Sequence, residues 1–162
     1  MPYTPIIGTL GYILSPDRRK TLLVHRISRP GDLHLGKYNG LGGKMHPDED
    51  VIACLRREVR EESGLEIDGI VLRGTINWTG FGANGENWLG FIFRIDKFSG
   101  RCFDRNSEGT LKWHPVDQLD ELPMWEGDRY FLPLVFDDDP RIFHGLMPYD
   151  NGRPLSWHYE RL

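Results

Sequence analysis

Residues 43–65 read Gly43-Lys-Met-His-Pro-Asp-Glu-Asp-Val-Ile-Ala-Cys-Leu-Arg-Arg-Glu-Val-Arg-Glu-Glu-Ser-Gly-Leu65, and this segment carries the clearest helical pattern of the chain. Its apolar residues recur near the 3.6-residue period of an α-helix, at Val51, Ile52, Leu55 and Val59. Acidic residues precede the run, and Gly64 is placed to end a helix in a left-handed conformation. The segment therefore predicts a helix that begins at Asp48 or Asp50, ends at Ser63 and buries one stripe.

Three carboxylates of this helix fall within a single turn, because Glu58, Glu61 and Glu62 stand at positions i, i+3 and i+4. Like charges at that spacing repel one another, and a hard divalent cation, which prefers carboxylate oxygens, is the usual reason to gather them. Arg57 is spaced to brace Glu61, and Glu49 is spaced to brace Arg57 in turn. The alternative is a solvated acidic face without a ligand.

A glycine-rich stretch, Asn39-Gly-Leu-Gly-Gly-Lys44, runs directly into this segment. Glycines let backbone groups approach a phosphate or a metal closely, and Lys44 supplies a positive charge for phosphate oxygens. The stretch ends a segment, residues 28–47, that is rich in glycine and is predicted to be a long functional loop. Together with the carboxylates, it suits metal-assisted displacement at phosphorus.

Composition excludes several classes of protein. The 162 residues fit one domain spanning 1–162, and 39% hydrophobic with 12% aromatic residues excludes a mostly disordered chain. A formal charge of −4 offers no basic surplus for long nucleic acid, and no apolar run approaches the roughly 20 residues of a membrane span. Two cysteines are too few for a disulfide framework. We expect a soluble cytoplasmic protein, monomer or homodimer, with a small-molecule partner and no membrane partner.

The remaining elements are predicted from their periodicity and from turn residues. The predicted strands are 6–14, 20–27, 70–78, 88–96 and 110–113, and the tail looks extended over 141–147 and 155–161. A second helix is predicted over 126–136, short or kinked at Pro133, with Tyr130, Phe131, Leu134 and Val135 facing the core. This order indicates a mixed sheet covered by helices on its faces.

Residues 43–65 fit the pattern G-x5-E-x7-R-E-U-x-E-E-x-G-U, where U is aliphatic, at every specified position. This segment resembles the Nudix box, and the chain is similar to the Nudix hydrolases. The resemblance implies an α/β fold, a Nudix-type α/β/α sandwich with a mixed β-sheet, and cleavage of a nucleoside diphosphate derivative with Mg²⁺ or Mn²⁺. It assigns the metal ligands by position to Gly42 (through its carbonyl), Glu58, Glu61 and Glu62. Arg57 and Glu49 would orient that cluster.

A weaker resemblance, to the MutT-like branch that hydrolyses oxidised purine nucleoside triphosphates, covers most of the chain. It implies that Asn39 and Asp128 read the purine edge and that Trp125 stacks on the ring. Gly127 departs from the branch, since it replaces the first acid of a pair. Trp78 is a further candidate for the base pocket, with core packing as the alternative. A bulky aromatic at position 125, at a loop-to-helix junction, is harder to explain as core.

The expected reaction is hydrolysis of a nucleoside triphosphate, such as 8-oxo-dGTP, to the monophosphate and pyrophosphate. Lys44 and the metal would neutralise charge, and the water-activating base would be Glu58 or Glu108, an acid outside the box. Two alternatives stay open. One is hydrolysis of another nucleoside diphosphate derivative. The other is a non-catalytic Nudix domain that senses a nucleotide, which the four retained box glutamates argue against.

Overall fold

A computed structural model describes all 162 residues. The chain forms ten strands, two α-helices and one 3-10 helix. In chain order these are β1 Ile6–Ile13, β2 Lys20–Arg26, β3 Tyr38–Asn39, β4 Leu41–Lys44, α1 Val51–Ser63, β5 Glu66–Thr79, β6 Trp88–Ser99, β7 Gly109–Pro115, the 3-10 helix Val116–Glu121, α2 Asp128–Phe136, β8 Phe143–Asp150, β9 Arg153–Pro154 and β10 His158–Arg161. No helix is both long enough and apolar enough to cross a bilayer.

The main sheet is mixed, with the strand order β10-β8-β5-β6-β1-β4 and β9 paired to β8. Strand β1 runs parallel to β6, and β5 runs parallel to β8, while the other pairs are antiparallel. A second sheet of three antiparallel strands has the order β3-β2-β7. The predicted mixed sheet is confirmed.

The two helices cover opposite faces of the main sheet. Successive residues of a strand point to opposite faces, and Tyr12 belongs to the core beside α2 while Ile13 belongs to the core beside α1. Strand β6 divides in the same way, with Ile92 on the α2 side and Phe93 on the α1 side. The α/β/α layering that the sequence predicted is therefore present.

Helix α1 begins and ends as predicted. The Asp50 side chain accepts a hydrogen bond from the Ala53 amide at 2.8 Å, and Gly64 ends the helix with φ 78°. The predicted buried face of the helix is partly wrong, because Ile52 is exposed. The buried positions are Cys54, Leu55, Val59, Glu62 and Ser63. Burial of Glu62 is the important difference, since it places a carboxylate at the edge of the core.

Helix α2 is short, as Pro133 predicts, and its C-terminal end is held by a buried arginine. Arg73 on β5 is 3% exposed and donates to the carbonyl oxygens of Val135 and Leu134, both at 3.1 Å. The predicted inward face needs correction, because Tyr130 is exposed and Leu132 is buried. Phe131 and Val135 are fully buried, as expected.

The segment predicted to be one long loop, residues 28–47, contains two short strands. Strand β3 pairs with β2, and β4 pairs with the middle of β1, from Gly8 to Gly11. Backbone pairing forms them, since β4 is Leu-Gly-Gly-Lys and lacks the β-branched residues typical of strands. The consequence is that Gly42, Gly43 and Lys44 are fixed in the main sheet beside α1.

Candidate active site

A cleft of about 270 Å³ opens between the two sheets and contains most of the predicted site residues. Its wall holds the four predicted base-pocket residues, Asn39, Trp78, Trp125 and Asp128, and also Gly42, Gly43, Lys44 and Glu108. The box side chains Glu49, Arg57, Glu58, Glu61 and Glu62 are not among the lining residues. The further lining residues are Gly8, Thr9, Leu10, Tyr12, Arg26, His34, Gly40, Phe81, Trp88 and Gly90. One cavity therefore joins residues that are 89 positions apart in sequence, from 39 to 128.

Arg57 is the centre of a hydrogen-bond network on α1. Its guanidinium donates to both oxygens of Glu49, from Nε at 3.0 Å and from Nη2 at 2.7 Å. Nη1 donates to Glu58 Oε1 at 2.8 Å, and Nη2 also donates to the Lys44 carbonyl at 3.1 Å. The paired arginine holds the pKa of Glu49 at about 2. The predicted bracing of Arg57 by Glu49 is thus present in the structure.

Glu62 is the buried acid of the cluster. It is 8% exposed, and its Oε1 accepts a hydrogen bond from the Gly42 amide at 3.3 Å. Burial, followed by the nearby carboxylates of Glu108 and Glu58, raises the pKa of Glu62 well above its usual value. A buried carboxylate beside two others calls for a cation or a proton.

The absence of a side chain at position 43 makes room for one of these acids. A Cβ placed on Gly43 would lie 2.5 Å from the Glu58 carboxylate carbon. Any other residue would therefore push Glu58 away from strand β4. The glycine of the box is explained by this close approach.

The three predicted metal-binding carboxylates do not yet converge on one point. Glu58 and Glu61 both turn toward Arg57 Nη1, at 2.8 and 3.4 Å, whereas Glu62 faces the Gly42 amide. Glu61 is the outlying member, with a side chain 60% exposed. No group of three or more His, Cys, Asp or Glu side chains is arranged to hold a metal ion. Glu61 therefore lies apart from Glu62 in this structure, and its role as a metal ligand stays a prediction.

The donor set nevertheless fits a divalent cation. Its members are carboxylate oxygens, the hard donors that Mg²⁺ and Mn²⁺ prefer. Glu62 is held close enough to Glu58 and Glu108 for its pKa to rise, so positive charge is what this point of the molecule lacks. Coordination by Gly42, Glu58, Glu61 and Glu62 stays a prediction.

Glu108 reaches the box from the second sheet. Its side chain lies 3.5 Å from Arg26 and 3.7 Å from Arg29, and it is 20% exposed. Asn106 fixes its backbone, because Asn106 Oδ1 accepts from the Glu108 amide at 2.8 Å while Asn106 Nδ2 donates to the Glu62 carbonyl at 2.9 Å. Asn106 thus ties Glu108 to the end of α1, a role that the sequence analysis missed.

The base-pocket wall carries polar groups with unused bonding capacity. Asn39 Nδ2 is buried and has no hydrogen-bond partner in the chain. Asp128 is the first residue of α2 and is partly buried, and burial raises its pKa to about 7 against the opposing effect of Arg129 and Lys37. Its negative charge in turn contributes to the raised pKa of the buried Tyr12. The structure brings Asn39 and Asp128 to one cavity, as predicted.

Trp125 lines the cleft but is also part of the core, which corrects the expectation from its position in the chain. It is 7% exposed and packs at the α2 side, with Phe81 edge-on at 4.9 Å between ring centroids. Lys37 Nζ lies 4.8 Å from the centre of its ring. These contacts leave little of its face open. Trp78 also serves both purposes, since it lines the cleft and packs edge-on against Phe131 at 6.1 Å.

The departure at position 127 has a structural reason. A Cβ on Gly127 would lie 2.2 Å from the Tyr149 hydroxyl and 2.4 Å from Met147 Sδ. The Gly127 amide donates to that hydroxyl at 3.2 Å. Tyr149 on β8 therefore occupies the space that a side chain at position 127 would need.

Several lining residues escaped sequence analysis. They are Thr9, Leu10, Tyr12, Arg26, His34, Phe81 and Trp88. Most lie on strands or loops whose approach to the cleft depends on sheet pairing, for which the local sequence carries no signal. Of these, His34 is half-buried and accepts a hydrogen bond from Trp125 Nε1 at 2.7 Å.

Comparison with known proteins places this geometry in a family. A model of the NUDIX domain matches residues 5–135. The uncharacterized Nudix hydrolase YvcI of Bacillus subtilis is 33% identical over 112 residues, which are 67% of this chain and 69% of that protein. An oxidized purine nucleoside triphosphate hydrolase of Danio rerio is 34% identical over 100 residues, 62% of this chain and 63% of that protein, so the match spans less than two thirds of the zebrafish protein.

Structural comparison agrees. The crystal structure of the mutator MutT protein from Bacillus halodurans matches with a TM-score of 0.82 at 25% identity, covering 96% of this chain and 97% of that one. The predicted α/β/α sandwich is confirmed by this match. Nudix hydrolases generally use divalent metals and act on small nucleotide substrates. The chain belongs to the Nudix hydrolase family and is MutT-like.

Proposed function

We propose that this enzyme hydrolyses a nucleoside triphosphate to the monophosphate and pyrophosphate with Mg²⁺, and that its substrate is an oxidised purine nucleotide such as 8-oxo-dGTP. The observation that carries the proposal is the cleft that brings Lys44 of the box and Glu108 together with Asn39 and Asp128. A purine nucleoside triphosphate matches these two sets of residues, because its triphosphate is anionic and its base is flat with polar edges. The name of the Danio rerio relative supports the same substrate class.

At the box end, the chain's own residues bind and orient the phosphates. Lys44 lies on the cleft wall and supplies a positive charge to phosphate oxygens. Glu58, Glu61, Glu62 and the Gly42 carbonyl would hold the divalent cation, which supplies charge neutralisation at phosphorus when bound. Arg57 and Glu49 keep Glu58 in place, because Glu49 fixes the guanidinium that Glu58 accepts from.

A carboxylate takes the proton of the attacking water, and Glu108 is the first candidate. It lines the cleft, lies outside the box helix and is fixed through its backbone by Asn106. Glu58 is the second candidate, since it lies beside Gly43 at the cleft wall. Glu108 is paired at 3.5 Å or more with Arg26 and Arg29, which leaves its oxygens available for a closer partner.

At the other end, polar groups would read the purine edge. An 8-oxo purine gains a carbonyl at C8 and carries a proton on N7 in place of a lone pair. Asn39 offers a donor and an acceptor, while Asp128, with its pKa raised to about 7, is able to donate or accept near neutral pH. Discrimination then rests on hydrogen bonds, because shape alone separates the two bases weakly.

The test is a turnover screen with Mg²⁺ over 8-oxo-dGTP, dGTP, dATP, dCTP, ADP-ribose and a nucleotide sugar, with products separated by ion exchange. The proposal expects the highest kcat/KM with 8-oxo-dGTP and the release of pyrophosphate together with the monophosphate. Release of phosphate, a preference for a pyrimidine or faster turnover of ADP-ribose would overturn it. Turnover of nothing, with tight nucleotide binding, would point to a sensing domain.

A further inference from the structure

We propose that His34 determines base specificity: its imidazole is held as the neutral tautomer with the proton on Nε2, which it donates to a carbonyl acceptor on the base, while Nδ1 fixes the Trp125 ring. This inference rests on the proposed function, since it names a residue that reads the base in the same cleft. His34 lies on the loop between β2 and β3, outside the box and outside every motif of the sequence.

The tautomer follows from one hydrogen bond. Indole Nε1–H can only donate, and Trp125 Nε1 lies 2.7 Å from His34 Nδ1. Nδ1 must therefore be the acceptor, so the single proton of the neutral ring resides on Nε2. The rings meet edge-to-face, with centroids 5.5 Å apart and an interplanar angle of 85°, so His34 also sets the orientation of Trp125.

The second nitrogen is free for a ligand. His34 lines the cleft, and its Nε2 makes no hydrogen bond within the chain and is not among the buried atoms that lack a partner. A donor on the cleft wall that has no partner within the chain is available to an acceptor atom of a bound ligand. The geometry therefore offers a third polar group for the base, a donor at a place of its own in addition to Asn39 and Asp128.

The loop that carries His34 is anchored by an ion pair at its start. Arg26 donates to Asp32 through Nε at 2.9 Å and Nη2 at 3.1 Å, with the two side chains 13% and 4% exposed. Asp32 Oδ1 then accepts from the His34 backbone amide at 3.0 Å. Since Arg26 also faces Glu108 at 3.5 Å, the base wall and the box end share one anchor.

The charged groups around the ring favour the neutral form. Burial, aided by Arg26, Lys37 and Arg29 and opposed by Asp32, lowers the pKa of His34 to about 4. Protonation would also place an N–H against the Trp125 N–H and remove the bond. His34 is thus a constant donor and not a switch at physiological pH.

A fixed donor favours a base that presents a carbonyl and disfavours one that presents an amine at the same place. Guanine-type bases carry a carbonyl at C6, where adenine-type bases carry an amine. His34 is therefore expected to favour 8-oxo-dGTP over 8-oxo-dATP. Loss of one hydrogen bond of this kind corresponds to about a tenfold change in that preference.

Three substitutions separate the two roles of the ring. His34→Asn keeps an acceptor near the Nδ1 position and lacks the distal donor, His34→Gln keeps a distal donor and misplaces the acceptor, and His34→Phe keeps a ring with neither. His158→Asn, on the exposed edge strand β10, is the matched control. For each variant, kcat and KM are measured with both oxidised nucleotides.

The inference expects His34→Asn to lower the 8-oxo-dGTP to 8-oxo-dATP ratio of kcat/KM about tenfold, mainly through KM. His34→Gln keeps more of that ratio, and His34→Phe loses it and raises KM for both nucleotides. His158→Asn behaves as the wild type. An unchanged ratio in His34→Asn and His34→Phe, in a wild type that hydrolyses 8-oxo-dGTP, overturns the inference and leaves the proposed function standing.

Nitrogen-15 NMR gives a readout that needs no turnover. The inference expects a proton on His34 Nε2 and a lone pair on Nδ1 at pH 7, and a Trp125 indole N–H that moves in His34→Phe but stays in His34→Asn. Trp125→Phe assigns that resonance. A proton on Nδ1, or an indole resonance that ignores the ring's removal, overturns the inference. A wild type that turns over no nucleotide in the same preparation refutes the proposed function instead.

Discussion

The two ends of the cleft are built in opposite ways. At the α1 end, most charged side chains are paired before any ligand arrives, since Arg57 bonds both oxygens of Glu49 and one of Glu58, and only the buried Glu62 lacks a positive partner. At the α2 end, bonding capacity is left open, with Asn39 Nδ2 unpartnered and Asp128 close to half protonated at neutral pH.

This difference corresponds to two tasks, catalysis at the α1 end and recognition of the base at the α2 end. Preorganised charge suits a reaction whose transition state is the same for every nucleotide, because no reorganisation is then needed at the reacting phosphorus. Unpaired polar groups suit recognition of the base, because a base that does not match them leaves them without hydrogen-bond partners. Variants at the first end should change the rate for all nucleotides, and variants at the second end should change their order.

The largest effect is expected at Glu62. Glu62→Gln should lower kcat about a thousandfold at saturating Mg²⁺, because a buried charge in the box is lost. It should also raise the melting temperature measured in EDTA, since burial and the neighbouring Glu108 and Glu58 penalise the ionised form in the folded state.

Glu66→Gln is the control, because Glu66 is exposed and pairs only with Arg60. Wild-type turnover in Glu62→Gln contradicts the assignment. Glu61→Gln tests the outlying carboxylate: a comparable loss of kcat shows that it joins the cluster when metal is present, and an unchanged Mg²⁺ requirement shows that it does not.

The next effect concerns the water-activating base. If Glu108 is that base, Glu108→Gln should lower kcat about a hundredfold and remove the acidic limb of the pH–rate profile. Glu58→Gln should instead raise the Mg²⁺ concentration needed for half-maximal rate. The reverse assignment of the two behaviours makes Glu58 the base, and a small loss of kcat in both variants excludes both.

A smaller effect is expected at Arg57. Arg57→Lys should lower kcat/KM about tenfold for every nucleotide, because an ammonium cannot bond Glu49 and Glu58 with a planar fork. The variant should lose about 1–2 kcal/mol of stability, with Arg60→Lys as the control. Glu49 has a pKa lowered from 4.5 to about 2 in the fold, so this difference is present above pH 4.5 and shrinks as the pH falls toward 2. A changed ranking of nucleotides would contradict the separation of the two ends.

The smallest effect is a pH dependence of base preference. Because the pKa of Asp128 is raised to about 7, the wild-type ratio of kcat/KM for 8-oxo-dGTP over dGTP should change a few-fold between pH 6 and 8. The titratable groups that interact with its charge are Arg129, Lys37, Tyr12 and Tyr149.

Asp128→Asn should give a flat ratio, and Asp117→Asn on the exposed 3-10 helix should leave the wild-type profile intact. The sign for stability is opposite to that of Glu49. A raised pKa means that the folded state holds the proton more tightly, so the contribution of Asp128 falls as the pH rises from 3.8 to about 7. A denaturation series in which Asp128→Asn and wild type run parallel over that range contradicts the assigned pKa.

The box was predictable because a helix fixes distance by spacing. Residues three and four apart lie on one face, so the gathering of Glu58, Glu61 and Glu62 needs only the local sequence. Spacing alone locates the buried face only to within about one residue, which is why Ile52 was expected inside and is exposed.

The base wall was less predictable because it depends on long-range pairing. Asn39 and Asp128 came from family likeness, but His34 and Phe81 come to the cleft through the path of loops. Strands β3 and β4 were missed for a related reason, since β3 has only two residues and β4 is Leu-Gly-Gly-Lys, and such segments become strands only beside a partner. That Asp128 has no second acid beside it at position 127 could be read from the sequence. The structural reason for that absence could not.

The absence of a second acid beside Asp128 restricts how this pocket can change in evolution. Because the Tyr149 hydroxyl and Met147 fill the space beside Gly127, an acid introduced there alone collides with β8 and destabilises the fold before it can serve recognition. A shorter residue at position 149 would have to come first, and it would leave the Gly127 amide without its partner. A second acid beside Asp128 therefore requires Tyr149 and Met147 to move or to be replaced, whereas selectivity can be adjusted elsewhere in the cleft without that change.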